Sequence, residues 1–235
     1  MATTQQQYAD ALRALPETDV ADYLKDNSGL PGPRANLTLL AAAADVLPRE
    51  LALRLADEAD EYLACCGVAT LGRLILEVPD DRALLDLLTV RAADERWRVR
   101  EAAAIAGQLI GDHDPVRLRE VVASWVGHAD ARVVRAGIAT ICEPRLLKDP
   151  ATAAAALDAC ARATDFLLAV PPSQRRDEAV RVLRQGLGYC WSVAVAGSPE
   201  SGLPIFLALS EADADLAWVI RENRRKQRLI RLMEA

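Results

Sequence analysis

The segment Asp94-Glu95-Arg96-Trp97-Arg98-Val99-Arg100-Glu101-Ala102-Ala103 holds a helix start and the beginning of an apolar stripe within ten residues. An Asp in this place accepts hydrogen bonds from the free amides of a first helical turn, and its charge opposes the positive end of the helix dipole. Behind it, Val99, Ala103, Ala106 and Ile110 recur at the spacing that puts side chains on one helix face. Arg100 stands one to two turns past the acid, where a long cation can reach back to it or across to a neighbouring helix pair.

The same order of acid, spacer and arginine returns along the chain. It reads Asp130-Ala-Arg-Val-Val-Arg135-Ala-Gly137, then Asp215-Leu-Ala-Trp218-Val-Ile-Arg221-Glu-Asn223, with a looser copy in Asp177-Glu-Ala-Val-Arg181-Val-Leu-Arg184. The marker residues Arg100, Arg135, Arg184 and Arg221 stand 35, 49 and 37 positions apart, bracketing the roughly 40-residue period of two-helix repeats.

Punctuation between the copies is regular. Asp114-Pro115 and Asp149-Pro150 pair a cap with a proline at the first helical position; Asp80, Asp130 and Asp213 read as further caps; Pro144 and Pro171-Pro172-Ser173 stop helices. Val68, Leu71, Ile75 and Val78 form one apolar stripe, and Leu183, Leu187, Cys190 and Ala194 another. Upstream, one helix is expected over Gln5 to Lys25, a turn over Asp26 to Pro33, and a second helix from Arg34 that buries Leu37, Leu40 and Ala44 and ends near Pro48. Asn223, beside Ile220, reads as a buried amide bonded to a neighbouring turn.

This segment-by-segment pattern resembles the second-half signature of HEAT and armadillo-like repeats. The resemblance implies an all-α fold, a right-handed α-solenoid of about five HEAT-like helix pairs. It implies a single domain over residues 1–235, with a less regular helical pair in 1–47 and repeats in 48–235. It also implies an interaction module that binds a protein or peptide on a concave face, since stacked repeats present such a surface. One HEAT-like family, the DNA-alkylation-repeat glycosylases, holds damaged DNA with Trp, Asp and Arg side chains. Asp94, Trp97, Arg135 and Trp218 supply those residue types, which makes nucleic-acid binding the alternative expectation.

Composition narrows the function classes. Hydrophobic residues make up 51% of the 235 and aromatics only 4%, so the core must be built from Ala, Leu and Val in closely packed helices. A net charge of −6 argues against general attraction to nucleic acid or an anionic membrane. No apolar run approaches the ~20 residues of a membrane span, and the start lacks a basic-then-apolar leader pattern. A cytoplasmic protein is expected. Two isolated histidines and five cysteines without a CxxC pair give no metal site and no disulfide framework; the cysteines are expected as small buried hydrophobes. No glycine-rich phosphate loop, GxSxG elbow or HExxH is present. No catalytic residue and no cofactor are therefore expected.

The candidate partner-binding residues are Trp97, Arg100, Arg135, Trp218, Arg221 and Arg225. Trp97 and Trp218 each precede a marker arginine by three residues, so they are expected to hold equivalent places, either lining a groove or filling the wedge between helix pairs. The run Arg221 to Arg231 holds six basic residues and one acid. It reads either as a patch for an anion or nucleic acid or as the polar cap of a terminal repeat.

Overall fold

The computed structural model describes residues 3–234 and is all-α: fourteen α-helices and one 3-10 turn lie among them, with no strand. The chain divides into two compact units, residues 1–110 and 111–235, and the division falls inside one helix.

The first unit contains α1 (Thr4–Ala14), α2 (Glu17–Asp26), α3 (Leu37–Val46), α4 (Arg49–Ala56), α5 (Glu61–Glu77), α6 (Arg82–Ala92) and most of α7 (Trp97–His113). Its centre is α5, which packs against α2, α3, α4 and α6. That position explains its composition. From Tyr62 to Ile75 all residues but Arg73 are buried, as expected of a helix covered on every side. Two glycines let neighbours come close. A Cβ on Gly67 would lie 2.2 Å from the Ala56 amide nitrogen, and one on Gly72 would lie 2.4 Å from the Ala106 carbonyl oxygen, so α4 and α7 approach α5 at backbone contact.

The second unit contains α8 (Pro115–Val126), α9 (Ala131–Ile141), a 3-10 turn (Leu146–Lys148), α10 (Pro150–Ala169), α11 (Glu178–Gly197), α12 (Pro199–Leu207), α13 (Ala214–Arg224) and α14 (Gln227–Met233). Here α11 is the hub, in contact with α9, α10, α12, α13 and α14. Trp191 is fully buried on it, donating its indole N–H to Thr164 Oγ1 at 3.0 Å, with its ring 6.0 Å from that of Phe206. Asn223 ties α13 to the same helix. Its Oδ1 accepts from the Ser192 amide at 2.8 Å, and its Nδ2 donates to the carbonyls of Leu187 and Val219.

Most of the expected helix starts are present. Asp114, Asp130, Asp149 and Asp213 accept first-turn amide bonds as N-caps, each an interaction of about 1 kcal/mol. At α6 the cap is Asp81 rather than Asp80. The stripes on α7 and α11 are buried as expected, and so are all five cysteines. Two expectations fail upstream. The helix expected over Gln5 to Lys25 is broken at Leu15-Pro16, because proline withholds an amide and forces its predecessor out of helical geometry. The second begins at Leu37, capped by Asn36, and buries Leu39, Leu40, Ala43 and Ala44 while Leu37 points outward. Val78, past the last turn of α5, is likewise exposed. Such breaks, with a further one between α13 and α14, give more helices than five pairs would need.

Within each unit, arginines reach acids one repeat-length away. Arg98 meets Glu61 across 37 positions, Arg145 meets Asp112 across 33, Arg119 meets Asp149 across 30, Arg132 meets Glu178 across 46 and Arg184 meets Asp215 across 31. Arg91 with Asp57, Arg54 with Glu17 and Arg175 with Asp213 are spaced similarly. Exposed pairs contribute at most about 1 kcal/mol each, so these contacts set register between helices more than they hold the units together.

Candidate functional site

The first unit carries an apolar groove of about 310 Å³ between the start of α3 and the first turns of α7. Its floor is Leu40, Cys65 and Ala102, all buried, with half-buried Ile105; its rim carries Leu37 and Trp97, which are 61% and 55% exposed.

One wall is the segment 27–36, folded into a closed loop. The Asn36 amide donates to the Ser28 carbonyl at 2.7 Å, and the Leu30 amide donates to Ser28 Oγ at 3.0 Å. Gly29 takes φ +74°, a left-handed conformation that favours glycine. Asn36 anchors the loop's end: its Oδ1 accepts from the Leu39 amide, its Nδ2 donates to the Asn27 carbonyl, and its own carbonyl accepts from Tyr62 Oη at 2.7 Å. The loop so held presents Pro33, Arg34 and Ala35 to the groove.

The opposite wall is set by Asp94. Its Oδ1 accepts from the Arg96 amide at 2.9 Å, and its two oxygens take a bidentate pair of bonds from the Arg96 guanidinium, both 2.9 Å. Burial works to raise the Asp94 pKa, but the hydrogen bonds and charge of Arg96 outweigh it, and the carboxyl titrates below its ordinary range. Arg96 also donates to the Glu58 and Ala59 carbonyls, and so fastens this loop to the start of α5. Trp97 follows as the first residue of α7, with the Arg98 guanidinium 4.7 Å from its ring centroid and paired with Glu61. The cation holds one face of the indole while the rest stays open.

Arg98 also borders a second hollow of about 430 Å³, with Lys25, Leu30, Pro31 and Asp60 among its lining residues. At the base of the groove, burial pushes the Cys65 thiol up to about 12, so it remains protonated and acts as part of an apolar surface.

The other candidate residues fall in varied surroundings. Arg100 is 5% exposed and donates to the carbonyls of Asp94 and Glu95 at 2.7 and 2.9 Å. The long cation does reach back, to the backbone of the segment that opens α7. In the second unit Arg135 is half-buried on α9, with its chain against Gly186. Trp218 is half-buried on α13, lies against Gly188, and has the Arg184 guanidinium 4.6 Å from its ring centroid. Trp97 and Trp218 thus do not hold equivalent places. One opens its helix and is exposed; the other sits in its helix's second turn and packs. Arg221 and Arg225 are exposed, and Arg225 pairs with Glu222.

No protein-family model matches this chain, and no curated protein matches it closely. Among solved structures it is similar to an engineered protein determined by the Northeast Structural Genomics Consortium, with 14% identity, 99% of this chain and 98% of that one covered, and a TM-score of 0.37. A likeness of that size carries no argument.

Among the described residues no group of His, Cys, Asp or Glu is placed to hold a metal ion, and no helix is long and apolar enough to cross a membrane. Of the expected partner-binding residues Trp97 alone lines the groove between α3 and α7. Leu37, Pro33 and Arg34 line it as well without having been expected there; the tightly punctuated Gly29 to Pro33 turn is the sequence signal for an exposed, shaped loop.

Proposed function

We propose that this chain is a HEAT-like helical-repeat module that binds a protein or peptide without catalysis, and that the groove between α3 and α7 is where the partner inserts. The observation that carries the reading is the pairing of Trp97 and Leu37, both open to solvent, across an apolar floor. An exposed apolar pair over a preformed pocket suits a bulky apolar side chain flanked by polar backbone. The repeat-spaced arginine–acid pairs and the Asp caps support the HEAT-like part of the proposal.

Nucleic-acid binding, the alternative, draws on the basic run around α14. Two of its arginines, Arg224 and Arg225, are already paired with Glu211 and Glu222, and Asp94 is committed to Arg96, which leaves less of that reading standing.

The test is selection of peptides from a random displayed library on the full chain, followed by affinity measurement with Trp97→Ala and Leu37→Ser. Selected peptides sharing an apolar anchor should lose roughly thirty-fold in affinity on Trp97→Ala, the cost of removing an aromatic anchor of about 2 kcal/mol. Selection yielding no consensus, or binding indifferent to both substitutions, would overturn the assignment.

A further inference from the structure

The second unit carries a separate pocket of about 390 Å³, and its chemistry differs from that of the groove. Leu147 of the 3-10 turn, together with Val193, Ala196 and Gly197 on α11, forms an apolar wall, and the two charged lining residues, Lys148 and Arg228, are both cations. Close packing of Leu147 on Gly197, where a Cβ would meet its side chain at 2.9 Å, keeps this wall smooth. Arg228 reaches in from α14 and is steadied by an aromatic ring rather than by an acid: its Nη2 donates to Tyr189 Oη at 3.1 Å, and its guanidinium carbon lies 4.8 Å from the Tyr189 centroid. Lys226 approaches the same ring at 5.8 Å. Tyr189, Val193 and Ala196 recur at helical spacing on α11, so the ring that orients the cation and the apolar wall belong to one face.

We propose that this pocket binds an aliphatic carboxylate, its hydrocarbon body against Leu147, Val193 and Ala196 and its head between Arg228 and Lys148. Charge complementarity selects an anion, because two cations meet at the pocket with no carboxylate among the lining residues. The surroundings favour a singly charged head over a phosphate dianion. α11 ends at Gly197, and the carbonyl oxygens of its C-terminus oppose every negative charge brought to the pocket, so Lys148 and Arg228 must offset that field and a second charge on the head would meet it again.

The experiment uses the full chain, with methyl-labelled Leu and Val followed by NMR while octanoate is added; octanol and octyl phosphate serve as matched probes. Octanoate should bind saturably, shifting the methyls of Leu147 and Val193, with octanol and octyl phosphate each at least five-fold weaker. Arg228→Gln combined with Lys148→Gln should weaken octanoate at least ten-fold. Ala196→Leu, at an exposed position that cannot disturb the core, should block the pocket while the spectrum elsewhere is unchanged. Arg221→Gln should leave binding intact. Equal affinity for octanol and octanoate, tighter binding of octyl phosphate, or shifts that survive Ala196→Leu would each overturn the proposal.

Discussion

Replacing Asn223 tests whether the second unit is held by a buried amide or by apolar contact alone. Its side chain is fully buried and makes three hydrogen bonds, two of them to α11. Asn223→Ala removes the side-chain acceptor of the Ser192 amide and the side-chain donor to the Leu187 carbonyl, both deep between α11 and α13. At about 1–3 kcal/mol for each buried group left unsatisfied, partly relieved by relaxation, the expected loss is about 3 kcal/mol. Of the four tryptophans only Trp97 lies in the first unit, so in a Trp97→Phe background fluorescence reports the second unit by itself. With an m-value of about 1.5 kcal/mol per molar urea, the midpoint should fall by roughly 2 M. Asn223→Asp sharpens the test. A carboxylate there would face the Leu187 and Val219 carbonyls without solvent, so its folded-state pKa must rise above the unfolded value of about 3.9. The folded protein then keeps a proton that the unfolded chain releases, and stability falls as pH rises through that window. The deficit of Asn223→Asp should therefore grow from pH 4 to pH 7 while that of Asn223→Ala stays flat. A midpoint shift below about 0.3 M for the alanine variant, or a pH-independent aspartate variant, would refute the reasoning.

Gly72→Ala should unfold or severely destabilise the first unit, by at least about 2 kcal/mol, because the new methyl meets the Ala106 backbone carbonyl; circular dichroism melts read this directly. Trp191→Phe keeps most of the apolar contact but leaves Thr164 Oγ1 without its indole donor, and thermal unfolding should show a loss of about 2 kcal/mol. Burial raises the thiol pKa of Cys65, Cys66 and Cys160 above the ordinary 9.0, and the contact with Cys160, aided by burial, does the same for Cys142. The folded protein keeps protons there that the unfolded chain loses, so stability should decline as pH rises from about 9 toward 11, and substituting Ala for Cys65 should soften that slope in alkaline urea titrations. Trp97 should be the tryptophan most accessible to iodide, so Trp97→Phe should remove the largest share of collisional quenching.

Local chemistry explains which features were legible. An aspartate capping a helix acts within its own first turn, so Asp114, Asp130, Asp149 and Asp213 could be read from neighbouring residues. The stripes on α7 and α11 were legible because burial repeats with the helix period. Leu37 was misread for the same reason: it fits the period of α3, but sits at the first turn, where the loop 27–36 leaves it uncovered. The groove has no signature of its own because its walls come from segments some sixty positions apart. The unequal settings of Trp97 and Trp218 follow from helix starts that fall at different offsets from the shared spacing, which a pattern of residue types does not encode.

The central place of α5 has a consequence for synthesis. Its Gly72 finds the backbone it was shaped to meet only at Ala106, thirty-four positions later. At about 5–20 residues per second on the ribosome, the nascent chain carries a nearly all-apolar helix with an open side for seconds, whereas collapse takes microseconds. Over that interval translation speed and chaperone occupancy govern yield, and slow codons between 77 and 106 should lower it.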